Sequence, residues 1–211
     1  MADLLLVSLL LVDVYMIGTS RLAACIRASA LQGLLLAALP LFFHHGPPDV
    51  HLVVLVGGAL LLKALVIPRL LLRTLQTTSV RREVEPMVSL HASLIASAAL
   101  IGFSFWASQK LVPPTAPPSP LALPAAFSTL LLGFLMLVSR AKAISQVVGY
   151  LMLENGIFVF GILLLEAMPF LVEAGVLLDL FVGIFIMGIV INHIRQEFSS
   201  LDTERLSGLK D

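Results

Sequence analysis

The stretch GYLMLENGIFVF, residues 149–160, sets a carboxylate, Glu154, beside an amide, Asn155, inside an otherwise apolar run. Asp179 stands likewise in LVEAGVLLDLFVGIFIMG, and Lys63 in LLLKALVIPRLLLR. Ionisable groups in such surroundings suit one chemistry above others. A carboxyl group or amine held away from water can pass between charged and neutral forms near neutral pH, as a proton carrier must. The alternative, neutral hydrogen-bonded acids that only hold helices together, stays open on spacing alone.

The elements that position these groups follow from composition. The chain has 211 residues, 59% hydrophobic and 12% charged, with a mean hydropathy of +1.03, which is the balance of an integral membrane protein. Thirteen basic residues offset thirteen acidic ones, and no basic patch supports nucleic-acid binding. A single cysteine, Cys25, cannot form an internal disulfide, a zinc site or an iron–sulfur site. His44 and His45 are too sparse for a metal site, and no two histidines share midplane depth as haem ligation would need. No cofactor, no metal and no catalytic centre are expected on this chain, since it carries no nucleophile with a positioned base and no phosphate loop.

A bilayer core needs roughly 20 apolar residues per helix. Seven spans fit, near 2–20, 25–43, 50–72, 87–109, 122–140, 143–165 and 169–193, giving an all-α polytopic membrane protein. The N-terminus lacks a basic region and a small-residue cleavage site, so residues 2–20 read as a first span and not as a signal peptide. Eleven of the thirteen basic residues then fall on one side, which places the N-terminus outside and the C-terminus in the cytoplasm. Six prolines in residues 110–124 mark an internal boundary between an N-terminal region, 1–109, and a three-helix region, 125–195; a cytoplasmic tail occupies 196–211. Ser20–Arg21 and Ser139–Arg140 hint at parallel repeats of spans one to three and five to seven.

Depth singles out the site. Glu154 lies twelve residues past Lys142, about 18 Å along a helix, and Asp179 about 15 Å from the outer end of its span, so both approach the midplane. Gly175 and Gly183 bracket Asp179 as a small-residue face. Tyr150 and Gln146 offer polar company to Glu154, while Gly149, Gly156 and Gly161 are expected to loosen the packing of its helix. Lys63 is too deep to snorkel easily, and Pro68 frees a backbone carbonyl near it. His91, Tyr150 and Asp13 are secondary candidates for a proton path. For His91 and Asp13 the simpler role is structural, with Asp13 satisfied by Tyr15, Ser8 or Arg21.

Family resemblance enters on these same residues. The segments VGYLMLENGIFVFGILL, LVEAGVLLDLFVGIFIMGIVINHIRQ and LDTERLSGLKD, with LLLKALVIPRLLLRTL, resemble the E component of hydrogenase-4 and related formate hydrogenlyase complexes across most of the chain. The last three spans look like the small three-helix subunit of complex I and of multisubunit cation/proton antiporters. The resemblance implies a subunit of the prokaryotic inner membrane, beside antiporter-like membrane subunits and a peripheral nickel–iron hydrogenase arm. It implies that Glu154, and Asp179 as an aspartate where glutamate is usual, belong to a charged axis that carries protons. A small proton-coupled transporter and a purely structural assembly subunit are the alternatives.

Overall fold

The computed structural model describes residues 1–43, 53, 56–58, 60–77, 88–111 and 119–163, all helical or connecting, with no strand among the described residues. The helices are α1 (Ala2–Gly18), α2 (Leu22–Phe43), a π-helical segment Leu60–Val66 continuing into α3 (Ile67–Thr77), α4 (Leu90–Ser108), α5 (Ala122–Ser139) and α6 (Ala143–Leu163). The seventh expected span with Asp179, the tail from Gln196, and His44 and His45 lie outside the described residues. Among the described residues, four helices are long and apolar enough to cross a membrane: Leu22–Phe43, Leu90–Ser108, Ala122–Ser139 and Ile144–Leu163. At 17 residues, α1 is at the short end of the spanning range of about 17–25.

Several helices turn large apolar side chains outward and small or polar ones inward. On α4, Ile95, Phe103 and Trp106 face out, 52% exposed or more, while Ser93, Ser97, Ser104 and Ser108 are buried. Lipid tails are as apolar as these side chains, so nothing drives them inward, whereas small residues let helices approach. Ser97, Ser104 and Ser108 return their hydroxyl hydrogens to the carbonyls of Leu94, Leu100 and Phe105, so those three bury no unsatisfied donor. Ser89 caps the first turn of α4 by accepting from the Ala92 N–H at 3.2 Å.

The α5–α6 pair is antiparallel and close. A Cβ on Gly156 would lie 2.6 Å from the Leu130 nitrogen, one on Gly149 would lie 3.0 Å from that of Leu137, and one on Gly133 would overlap the Leu153 backbone. Gly149 and Gly156 therefore tighten the packing of α6 instead of loosening it. They sit two turns apart on the same face, where a missing side chain becomes backbone contact.

Helices α1 and α5 run parallel. Ser119 donates to Asp3 at one end, Thr129 to Asp13 in the middle and Arg140 to the Ile17 carbonyl at the other end. Arg140, at the end of the fifth expected span, is 2% exposed and closes the C-terminus of α1, where carbonyls lack helical partners and a cation is favoured. Arg140→Leu is expected to fray that end and cost about 1–3 kcal/mol, read as a lower unfolding midpoint in detergent.

Candidate functional site: a buried polar layer between two apolar clusters

Among the described residues the core divides into two apolar clusters. One gathers Met16, Ile17, Leu22, Ile26, Leu71, Met136, Val148 and Met152; the other gathers Leu6, Leu9, Leu36, Leu39, Ala122, Ala126 and Val159. Between them, each of four helices contributes polar residues: Asp13 from α1, Gln32 from α2, Thr129 from α5, and Glu154 with Asn155 from α6. Lys63 joins from the π-helical segment, 5% exposed. Apolar side chains thus flank this layer on both sides along the helix axes.

The layer is one hydrogen-bonded chain. The Lys63 Nζ donates to Glu154 Oε1 at 2.6 Å and to Asn155 Oδ1 at 3.1 Å, and lies 4.8 Å from the centre of the Phe158 ring. Asn155 Nδ2 donates to Gln32 Oε1 at 2.9 Å, and Gln32 Nε2 donates to Asp13 Oδ1 at 2.6 Å. Thr129 Oγ1 donates to Asp13 Oδ2 at 2.7 Å. From Lys63 to Asp13 every donor points the same way, so each amide dipole polarises the next. The second oxygen of Glu154, Oε2, is buried with no hydrogen-bond partner among the described residues.

Local backbone features admit Lys63. Pro68 lacks the N–H that an α-helix would aim at the carbonyl of Ala64, and the wider π winding lies immediately before it. Leu60, Leu61, Leu65 and Val66 face outward while Lys63 alone in this segment is buried. Across from it, Gly33 has no side chain where a Cβ would sit 2.8 Å from the Lys63 carbonyl carbon. Gln32 therefore supplies a polar link and its neighbour supplies the space.

The structure brings together Glu154, Lys63 and Asp13 of the expected residues. Lys63 does not snorkel; its ammonium donates inward, to Glu154 and Asn155. The partners of Asp13 are Gln32 and Thr129, not Tyr15, Ser8 or Arg21: Tyr15 points outward, 55% exposed, on another face of α1. Tyr150 packs against the first apolar cluster, and Gln146 donates to the Arg140 carbonyl at 3.2 Å, so neither is the company that Glu154 keeps. His91 is exposed on the first turn of α4, apart from the layer. Gln32 and Thr129 join the site without a counterpart among the expected residues. A lone amide in an apolar span is the signal that would have found Gln32, since an unpaired amide there is also costly.

An all-helical membrane protein with an ion pair and a hydrogen-bonded chain at the centre of its bundle is the class that these features define. The chain is 33% identical to the uncharacterized protein Rv0085 of Mycobacterium tuberculosis over 204 residues, 96% of this chain and 93% of that protein, and it belongs to that family. It is also similar to hydrogenase-4 component E of Escherichia coli K12 and of Shigella flexneri, 34% identical over 89 residues, 42% of this chain and 41% of those proteins. That relationship is distant, and the match over 42% of the chain is shorter than the resemblance across most of the chain that its motifs imply. No family model and no solved structure matches the chain.

Proposed function

We propose that this protein is a non-catalytic membrane subunit of a hydrogenase-like complex and that it handles protons through Glu154 and Lys63. The single observation that carries the reading is the buried Lys63–Glu154 pair, 2.6 Å long, inside an apolar bundle. One proton added at Glu154 Oε2 dissolves the pair without displacing Lys63 from Oε1 first, and one proton lost restores it. Such a pair is a two-state element that a neighbouring subunit can drive. The partial likeness to hydrogenase-4 component E supports a hydrogenase-like assembly; antiporter-like membrane subunits and a nickel–iron hydrogenase-type arm are the partners proposed for it.

In this reading the path continues to Asp179 on a seventh span, in a prokaryotic inner membrane, with the N-terminus outside and the C-terminus in the cytoplasm. Residues 125–195 form the three-helix, complex-I-like part of the path. The test is Glu154→Gln in a complex shown to be assembled. Proton translocation is expected to fall to background while electron transfer to an artificial acceptor persists. Unchanged translocation would leave the subunit a scaffold, and substrate transport by the purified chain alone would make it a secondary transporter.

A further inference from the structure

At the far end of the polar layer from Glu154 stands a second carboxyl group with no cation beside it among the described residues. Asp13 is fully buried and accepts one hydrogen bond at each oxygen, from Gln32 and from Thr129. Ionised together, Asp13, Glu154 and Lys63 give the described part of the layer two negative charges and one positive. An uncompensated charge at the centre of an apolar bundle is costly, so the layer favours holding one further proton.

The other titratable groups on the elements packed against α1 do not supply the balance. On α2 these are Arg27, which is exposed, and Cys25, whose thiol points to the Met16 carbonyl at 3.6 Å. On α4 there is only the exposed His91; α5 has none, and Arg140 beyond it is bonded to the Ile17 carbonyl. On α1 itself, Asp3 accepts from Ser119 near the N-terminus and Tyr15 faces outward. On α6, linked through Asn155, Tyr150 packs with apolar side chains and Glu154 is the counterpart already described.

We infer that Asp13 is a second proton-binding site, linked to the Lys63–Glu154 pair by the Gln32–Asn155 amides, so that one proton is shared between two carboxyl groups. The inference rests on the reading that this pair exchanges protons. In one state both amides donate toward Asp13, the direction that an ionised Asp13 requires; the shared proton is then on Glu154 Oε2, and Lys63 keeps its hydrogen bond to Oε1 although the ion pair is dissolved. In the other state the proton is on Asp13 Oδ1 and donates to Gln32 Oε1, Thr129 still donates to Oδ2, and both amides have rotated by half a turn. Asn155 then presents its N–H to the Lys63–Glu154 end, and Lys63 loses Asn155 Oδ1 as an acceptor while Glu154 is ionised and holds it. One O–H bond is broken at Glu154 for each one formed at Asp13, with protons exchanged through solvent, and the amides only turn. In either state the described part of the layer is neutral, and the orientation of two amides reports which carboxyl group is occupied.

Infrared titration of the full chain in lipid nanodiscs, with isotope-labelled aspartate, separates Asp13 from the glutamates. A protonated aspartic band that Asp13→Asn removes is expected. Glu154→Gln should shift the midpoint of that band by about one pH unit or more, a coupling of about tenfold. In a Gln32→Met or Asn155→Leu background the shift should vanish, and the side-chain amide bands that accompany the titration should vanish with it. Two such backgrounds are used so that failure of one to fold leaves the other to decide. Absence of an Asp13 band, or a shift of equal size with either amide removed, overturns the inference. Because the readout is an equilibrium titration, it stands or falls separately from proton translocation by the assembled complex, which tests the function itself.

Discussion

Lys63→Met is expected to lower the stability of the bundle by about 3–5 kcal/mol, because it leaves the Glu154 carboxylate buried without its cation. The pair is 2.6 Å long, and its side chains are 4% and 3% exposed, so water cannot stand in for the ammonium. The informative comparison is Lys63→Met combined with Glu154→Met. Removing both charges removes the desolvation cost along with the attraction, and apolar replacements of similar volume are often neutral or better. Most of the lost stability should return in the double variant. A residual cost of about 1–2 kcal/mol is expected, since Asn155 Oδ1 still loses its donor. Unfolding midpoints in bicelles, with the two single variants and the double variant compared, give the coupling directly. A single variant as stable as the parent would mean that the pair is not what holds the layer together. A double variant that is well folded but inactive in an assembled complex would separate the function of the pair from its structural part.

The glycines of α5 and α6 give the second large effect, and here two physical arguments predict opposite signs. By helix propensity alone, Gly133→Ala and Gly156→Ala should each stabilise by up to about 1 kcal/mol. By packing, each should destabilise by about 1–3 kcal/mol, because the new methyl group meets backbone, which cannot turn aside as a side-chain end can. For Gly156 the encounter is 2.6 Å from the Leu130 nitrogen, and for Gly133 it is closer still. Packing should therefore win at both positions. Gly102→Ala on α4 is the control, since a Cβ there meets nothing within 4 Å, and it is expected to be neutral or to gain up to about 1 kcal/mol. If all three variants were stabilised alike, the close approach of α5 and α6 would be wrong. Because Glu154 and Asn155 lie between Leu153 and Gly156, separating these helices should also disturb the polar layer. The proton-linked infrared signal and the stability should then fall together in Gly133→Ala.

Much of the helical outline follows from hydrophobic length. The expected spans near 2–20, 25–43, 122–140 and 143–165 correspond to helices Ala2–Gly18, Leu22–Phe43, Ala122–Ser139 and Ala143–Leu163, because a run of apolar residues long enough to cross a bilayer has few other stable conformations in lipid. The third span behaves differently. Its described residues are α-helical at 53 and 56–58, take π winding over Leu60–Val66 and continue as α-helix to Thr77, past the expected end near 72. Apolar content carries no information about winding, and Pro68 announces an interruption without saying what form it takes. The role of Gly149 and Gly156 is hidden for a related reason: sequence shows a missing side chain, and only the neighbouring helix decides whether that gap is looseness or contact.

By itself the sequence determined that this chain folds in a membrane and that Glu154, Lys63 and Asp13 are expensive residues in need of partners. Both conclusions follow from transfer energetics, which depend on residue type and on the length of the apolar run. Partnership depended on tertiary structure, because hydrogen bonding is decided over a few ångströms between residues far apart in the chain. Lys63 meets Glu154 across 91 positions, and Thr129 meets Asp13 across 116. Gln32 and Asn155 join the two ends only because α1, α2, α5 and α6 bring their polar residues to a common level between two apolar clusters. No spacing rule within one helix contains that alignment; it is set by how the helices pack.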